Sequence, residues 1–147
     1  MNRSEIGNRY EDECLKIIPR CPDCESKLVN INDRVSNNFP GYDFYCSNPK
    51  CKTVCQVKSS NGNMFSTDNV FYNGGKTKIM KDTAKKHDLR YIWIRYDSYN
   101  YDVTDVWMSD KIKLSDIVST NGRKNCKIYS SWTKIAKKGK VFPGYRR

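Results

Sequence analysis

Two pairs of closely spaced cysteines constrain the fold of this chain more than any other feature. Two residues separate Cys21 from Cys24, and four separate Cys46 from Cys51. Two such pairs supply the four soft thiolate ligands that a tetrahedral structural zinc ion prefers. The proline and asparagine between the cysteines help the backbone turn its amides towards the sulfur atoms. We therefore predict a zinc ribbon at about residues 21–51, with a Zn²⁺ that has a structural role because all four ligand positions are taken.

Cys55 competes with Cys51 for the fourth ligand position on spacing alone. Residues 53–58 have the pattern of a β-strand, in which Gln56 and Lys58 share one face and Cys55 points to the other, into the core. Cys14 and Cys126 also lie on apolar faces and are expected to be core residues. The predicted ligands are therefore Cys21, Cys24, Cys46 and Cys51.

The charge of the chain indicates a nucleic-acid partner. Its 147 residues include 27 Lys and Arg against 16 Asp and Glu, a formal net charge of +11, and basic side chains displace counterions from phosphates. A merely solvated basic surface is the alternative. The N-terminus lacks the apolar segment of a signal peptide, and no apolar run reaches the length of a membrane span. We therefore expect a protein that acts inside the cell and away from the membrane, in which seven cysteines favour metal binding over disulfides.

The alternation of helical and strand patterns predicts an α/β (α+β) fold, with residues 1–147 as a single domain. Helices are predicted at residues 5–18, where Ser4 is the cap and Pro19 the end, and at 76–88, with a helical turn at 114–118. The only histidine, His87, is expected to be exposed in the second helix. Strands are predicted at residues 27–31, 43–45, 53–58, 89–96, 102–108 and 126–129, and a polar loop at 61–75.

Asp43, Gln56 and Lys58 have the order of a metal-dependent nuclease site. Side chains two residues apart on a strand point to the same side, and Mg²⁺ prefers hard oxygen ligands. The order resembles the PD-(D/E)xK nuclease signature, in which an Asp and a second acid bind Mg²⁺ and the Lys helps to activate water or hold the scissile phosphate. The resemblance implies that Asp43 and Gln56 bind Mg²⁺ and that Lys58 is catalytic. It adds Glu11, because this family often places a further acid on the first helix.

A closer resemblance, over nearly the whole chain, is to the catalytic domain of the methyl-directed restriction endonuclease DpnI. The matching stretches are Tyr10-Glu11-Asp12, Cys21-Pro-Asp-Cys24, Asp43-Phe-Tyr-Cys46, Val57-Lys-Ser59 through Gly62-Asn63 to Ser66-Thr67, Cys126-Lys-Ile128 and Lys138-Gly-Lys-Val-Phe142. The resemblance implies a restriction-endonuclease-like mixed sheet flanked by helices, with an inserted four-cysteine zinc ribbon. It also implies a Mg²⁺-dependent, sequence-specific endonuclease of double-stranded DNA, of type II restriction character. Cutting both strands often requires two active sites, so a homodimer is a further expectation.

The chain departs from that relative in several respects. Gln56 stands where the family has an acid and brings no charge to Mg²⁺, and the gap between Asp43 and Gln56 is longer. The sequence ends at Arg147, where the relative continues into a winged-helix domain that reads methylated DNA. Gly122-Arg-Lys-Asn125 replaces a segment that carries a Trp in the relative. We therefore expect the fold and chemistry to carry over better than the sequence specificity and the dependence on methylation.

Two other functions stay open on the sequence. One is a structure-specific repair or junction nuclease with the same site, and the other is an inactive zinc-ribbon protein that binds nucleic acid, which Gln56 makes conceivable. The loop at residues 61–75 either reads base edges or is an ordinary surface loop. The basic helix at 76–86 and the basic C-terminal tail are expected to contact phosphates, and Trp93, Trp107 and Trp132 to lie in the core.

Overall fold

The computed structural model describes residues 3–33, 41–62, 64–66, 82–112, 129–131 and 139–142. The first element is helix α1 (Arg3–Ile17), and residues 82–86 are also helical. No helix within these described ranges is both long and apolar enough to cross a membrane. The strands are β1 (Leu28–Asn30), β2 (Phe44–Cys46), β3 (Thr53–Ser60), β4 (Met64–Ser66), β5 (Asp88–Tyr96), β6 (Val103–Ser109), β7 (Tyr129–Ser131) and β8 (Gly139–Phe142).

Six of these strands form one mixed sheet in the order β1-β2-β3-β5-β6-β8. Strands β3 and β5 are parallel, and the other neighbouring pairs are antiparallel. Strands β4 and β7 form a separate antiparallel pair. The predicted α+β class with a mixed central sheet is confirmed.

The two faces of the sheet bury different clusters of side chains. On one face, Cys55 packs with Tyr10 and Cys14 of α1, all three at 0% exposure. On the other face, Val54 packs with Trp93 and Trp107, whose rings are stacked with centroids 4.5 Å apart. This alternation confirms that Cys14, Cys55 and the two tryptophans are core residues.

The predicted elements mostly lie where the structure has them, but two strands were not predicted: β4, and β8, which pairs with β6 at the edge of the main sheet. Residues 64–66 form strand β4 inside the segment predicted as a polar loop, because Met64 pairs with Ser131, a partner too distant along the chain for a local pattern to indicate. The late strand is described only from Tyr129 onwards. The predictions for residues 76–81 and 114–118, for Cys126 and for Trp132 lie outside the described residues, as do most of the 61–75 loop and the basic tail apart from residues 139–142.

Candidate active site and metal centre

The four predicted zinc ligands form one cluster. The Sγ atoms of Cys21, Cys24, Cys46 and Cys51 all lie within 4.8 Å of one another. The Cys21 and Cys51 sulfurs are 3.8 Å apart, and those of Cys24 and Cys46 are 3.3 Å apart. Thiolates that surround zinc as a tetrahedron with bonds of about 2.3 Å lie about 3.8 Å apart. The cluster therefore has the dimensions of a tetrahedral thiolate site.

Backbone amides point at these sulfurs, as thiolate ligands require. The N–H groups of Asp23 and Cys24 donate to the Cys21 sulfur, and the N–H of Asn48 donates to the Cys46 sulfur. The hydroxyl and N–H of Ser26 lower the pKa of Cys24 to about 6. Burial, in contrast, raises the pKa of Cys46 to about 12. A cation among the four sulfurs would offset that burial, so the donor set fits a soft divalent metal such as zinc.

The first cysteine pair is also attached to the central sheet. Asp23, between Cys21 and Cys24, forms an ion pair with Arg90 of β5, with 2.9 Å between Oδ1 and Nη2. The hydroxyl of Thr53, the first residue of β3, donates to the other carboxylate oxygen of Asp23. Arg90 also donates to the carbonyl of Ser109 in β6. The cysteine cluster is thereby fixed to three strands of the sheet.

Two of the predicted catalytic residues, Glu11 and Asp43, meet where α1 approaches the sheet. Tyr10 and Cys14, one helical turn apart, bury their side chains in the core, and Glu11 lies beside this buried face with 9% exposure. Its carboxyl group is hydrogen bonded to that of Asp43. A pair of carboxyl groups in direct contact is an arrangement that Mg²⁺ sites use.

Asp43 itself is held by strand β3. It immediately precedes β2, and its N–H still donates to the carbonyl of Cys55 at 2.8 Å. Its carboxylate Oδ2 then accepts the N–H of Val57 at 2.7 Å, where a backbone carbonyl of a longer β2 would otherwise lie. The Asp43 carboxylate is therefore fixed next to the backbone that carries Gln56 and Lys58.

The proton affinity of Glu11 reflects this crowding of acids. Burial, followed by the negative charge of Asp43 and the hydrogen bond to it, raises the pKa of Glu11 to about 8. Its Oε1 atom is buried and has no hydrogen-bond partner among the described residues. A buried oxygen without a partner, in a pair of acids that retains a proton at neutral pH, fits a site in which a divalent cation replaces the proton.

Gln56 and Lys58 flank Val57 and share the face of β3 opposite to it. They are aligned with Tyr91 and Trp93 of the parallel strand β5, and both are half-buried. Val57 packs on the α1 face instead. Glu11 thus approaches Asp43 from the α1 side, whereas Gln56 and Lys58 project from the other face on either side of the Val57 N–H.

A cleft that no sequence pattern predicted lies on the same face as Gln56 and Lys58. It has a volume of about 460 Å³ and is lined by residues that include Tyr42, Tyr45 and His87. His87 is half-buried and packs edge-on against Tyr42, with ring centroids 5.3 Å apart, so it lies at the surface but is less exposed than predicted. The lysine-rich sequence around His87 predicted a side chain in solvent. The Tyr42 ring lies 45 residues earlier in the chain, so no local pattern indicated the contact.

Comparison with known proteins assigns the chain to a family. No curated protein matches it. The model of a protein family described as "DpnI: Dam-replacing family" matches residues 8–142, a range that contains the four clustered cysteines, Glu11, Asp43, Gln56 and Lys58. The match covers most of the chain, and the family implies a restriction-type nuclease that acts on DNA. The chain therefore belongs to the DpnI, or Dam-replacing, family.

Proposed function

We propose that this protein is a Mg²⁺-dependent, sequence-specific endonuclease that hydrolyses phosphodiester bonds in double-stranded DNA. The observation that carries the proposal is the pair of acids, Glu11 and Asp43, fixed by the Val57 N–H to the strand that bears Gln56 and Lys58. The net charge of +11 suits a phosphate-rich substrate.

The candidate site residues have distinct roles in this proposal. Asp43 and the amide oxygen of Gln56 hold Mg²⁺, which would supply positive charge where the phosphate gains negative charge during hydrolysis, and Glu11 is the further acid that contacts Asp43 from the α1 side. Val57 orients Asp43 through its N–H and keeps that carboxylate from rotating away. Lys58 places a second cation on the same face as Gln56, where it orients the scissile phosphate and stabilises the charge on it.

The cysteine cluster has a structural role in the proposal. Cys21, Cys24, Cys46 and Cys51 hold Zn²⁺ and leave no ligand position for a substrate. The ion lies in the segment between α1 and β3, so it fixes the connection between the two elements that bring Glu11 and Lys58 to the site.

The test is a cleavage assay on two matched plasmids, one methylated on adenine and one unmodified. The wild-type protein is incubated with Mg²⁺ beside an Asp43→Ala, Lys58→Ala double variant. Discrete Mg²⁺-dependent fragments that the double variant does not produce would support a sequence-specific nuclease. The plasmid that is cut faster answers whether methylation is required, and sedimentation of the DNA complex tests whether two copies act together.

Two other outcomes would overturn the proposal. Cleavage of branched DNA in preference to linear duplex would indicate a repair or junction nuclease. DNA binding without any cleavage would indicate an inactive nucleic-acid-binding protein, the alternative that the uncharged Gln56 leaves open.

A further inference from the structure

The cleft beside the cysteine cluster has the chemical character of a base-binding pocket. We call it the tyrosine cleft; its lining includes Tyr42, Tyr45, Ser47, Asn48, Lys52 and His87. Its volume of about 460 Å³ lies in the range of small-molecule sites. Three aromatic rings beside polar side chains and a lysine form a set that accepts a flat, hydrogen-bonding ring system.

The tyrosine cleft is continuous with the face of β3 that carries the candidate catalytic residues. Tyr45 is aligned with Val54 across the β2–β3 pair, and Val54 also lines the cleft. Gln56 follows Val54 by two residues on the same face, a separation of about 7 Å along a strand. A nucleotide in the cleft would thus lie within reach of the phosphate presented to Gln56 and Lys58.

The charges around the cleft suit a nucleotide. Lys52 lines the cleft and is exposed, and both Lys86 and Lys52 lie close enough to His87 to contribute to the lowered pKa of its imidazole, of which burial is the main cause. Asp88 acts in the opposite direction on His87, but its carboxylate is paired with Lys111 at 3.4 Å. The cleft therefore has cations positioned for a phosphate beside rings positioned for a base.

We propose that the tyrosine cleft binds one unpaired base of the DNA, stacked on Tyr42 or Tyr45, and so holds the neighbouring phosphate at the candidate active site. The inference rests on the proposed nuclease function for its substrate. It goes beyond that function because it assigns a nucleotide-binding role to residues outside the catalytic set. Base stacking on an aromatic side chain is worth enough to raise affinity by about fivefold or more.

The test compares two fluorescently labelled duplexes that differ by a single unpaired adenine. Binding is measured by fluorescence anisotropy without added Mg²⁺, so that cleavage does not interfere. The wild-type protein should bind the duplex with the unpaired base at least about fivefold more tightly than the paired duplex. Tyr45→Leu and Tyr42→Leu, which keep apolar side chains, should each reduce this preference and leave affinity for the paired duplex unchanged.

Tyr99→Leu is the matched control, because Tyr99 is 93% exposed in the turn between β5 and β6 and should keep the full preference. Equal affinity of the wild-type protein for both duplexes would overturn the inference. A preference that persists in both cleft variants, with their zinc content and circular dichroism unchanged, would also overturn it.

The plasmid assay separates this result from the proposed function. A protein that cleaves DNA but shows no tyrosine-dependent preference would retain the nuclease proposal and lose the base-binding one. A protein that shows the preference but does not cleave DNA would retain the base-binding proposal and lose the nuclease proposal.

Discussion

The carboxylate of Asp43 accepts the N–H of Val57 at 2.7 Å, and this bond joins an acid immediately before β2 to the middle of β3. The same carboxyl group contacts Glu11 of α1. Three elements that are remote in the sequence therefore converge on Asp43. This residue has two separable properties, its negative charge and its hydrogen bond to the strand.

Replacing Asp43 by Asn or by Ala should separate these two properties. The Asn side chain still accepts the Val57 N–H but loses the charge, so cleavage should fall by about 100-fold or more. At neutral pH the stability of Asp43→Asn should equal or exceed that of the wild type, since loss of the Asp43 charge lowers the pKa of Glu11 and folding then takes up less of a proton. Asp43→Ala should be less stable than Asp43→Asn by about 1–3 kcal/mol, because the Val57 N–H is left without its acceptor. Single-turnover cleavage and urea unfolding measure the two effects, and an Asn variant with wild-type cleavage would exclude Asp43 from catalysis.

Glu11 should make the metal-free protein less stable as the pH rises. Its pKa is raised to about 8 in the fold, above the value of about 4.3 in unfolded chains. Between these values the folded state binds more protons than the unfolded state, so the free energy of unfolding falls with rising pH. One proton limits the slope to about 1.4 kcal/mol per pH unit. Urea unfolding from pH 5 to pH 9 measures the effect.

Glu11→Gln supplies the control for this pH dependence. The variant has no proton to lose in that range, so its stability should vary less between pH 5 and pH 9 and exceed that of the wild type at pH 9. If Mg²⁺ binds at the pair of acids, it should stabilise the wild type at pH 8 more than the variant. Identical pH profiles for the two proteins would show that Glu11 does not carry the extra proton.

Removing any one of the four clustered cysteines should release the zinc. Cys51→Ser should abolish stoichiometric zinc binding and broaden or abolish cooperative unfolding, because the ribbon loses one of its four ligands. Cys55→Ala should keep one zinc per chain although it opens a space in the core, since Cys55 is fully buried on the α1 face. Atomic absorption on the purified proteins measures the metal. If the Cys55 variant alone lost zinc, Cys55 would be the fourth ligand and Cys51 would not.

The assignments of Cys51 and Cys55 show what could be predicted from the sequence. The strand pattern at 53–58 assigned Cys55 to the core because side chains alternate on a strand whatever the rest of the chain does. The same local periodicity located α1 and the strands of the main sheet other than β8. Cysteine spacing then predicted the cluster, because short turns between thiolates leave few geometries.

Features that depend on distant contacts could not be predicted in this way. The Val57 N–H binds the Asp43 carboxylate because β2 begins only at Phe44, and no local pattern indicates where β2 begins. The edge contact of His87 with Tyr42 has no local signal for the same reason. Glu11 was included only through the family resemblance, since one acid on an amphipathic helix is ordinarily exposed.

The ion pair between Asp23 and Arg90 should contribute more to stability than a surface pair. Its side chains are 24% and 16% exposed, and both groups have further hydrogen-bond partners. Replacing Arg90 by Met should cost about 1–3 kcal/mol, because Asp23 is left beside the cysteine cluster without its cation. The exposed pair of Lys111 and Asp88 should contribute at most about 1 kcal/mol. Double-mutant cycles in urea give both coupling energies, and equal values would refute the difference.

Restoring an acid at position 56 should strengthen the proposed Mg²⁺ site. Gln56→Glu adds a negative charge on the strand next to Val57, whose N–H holds Asp43. A charge a few ångströms from the ion should lower the Mg²⁺ concentration for half-maximal cleavage by about tenfold. The same charge adds repulsion among the acids, so the metal-free variant should be less stable than the wild type. Gln56→Leu, which offers no oxygen, should shift the Mg²⁺ requirement upwards. Titration of initial cleavage rates with Mg²⁺ orders the three proteins, and a half-maximal concentration that is the same in all three would place residue 56 outside the metal site.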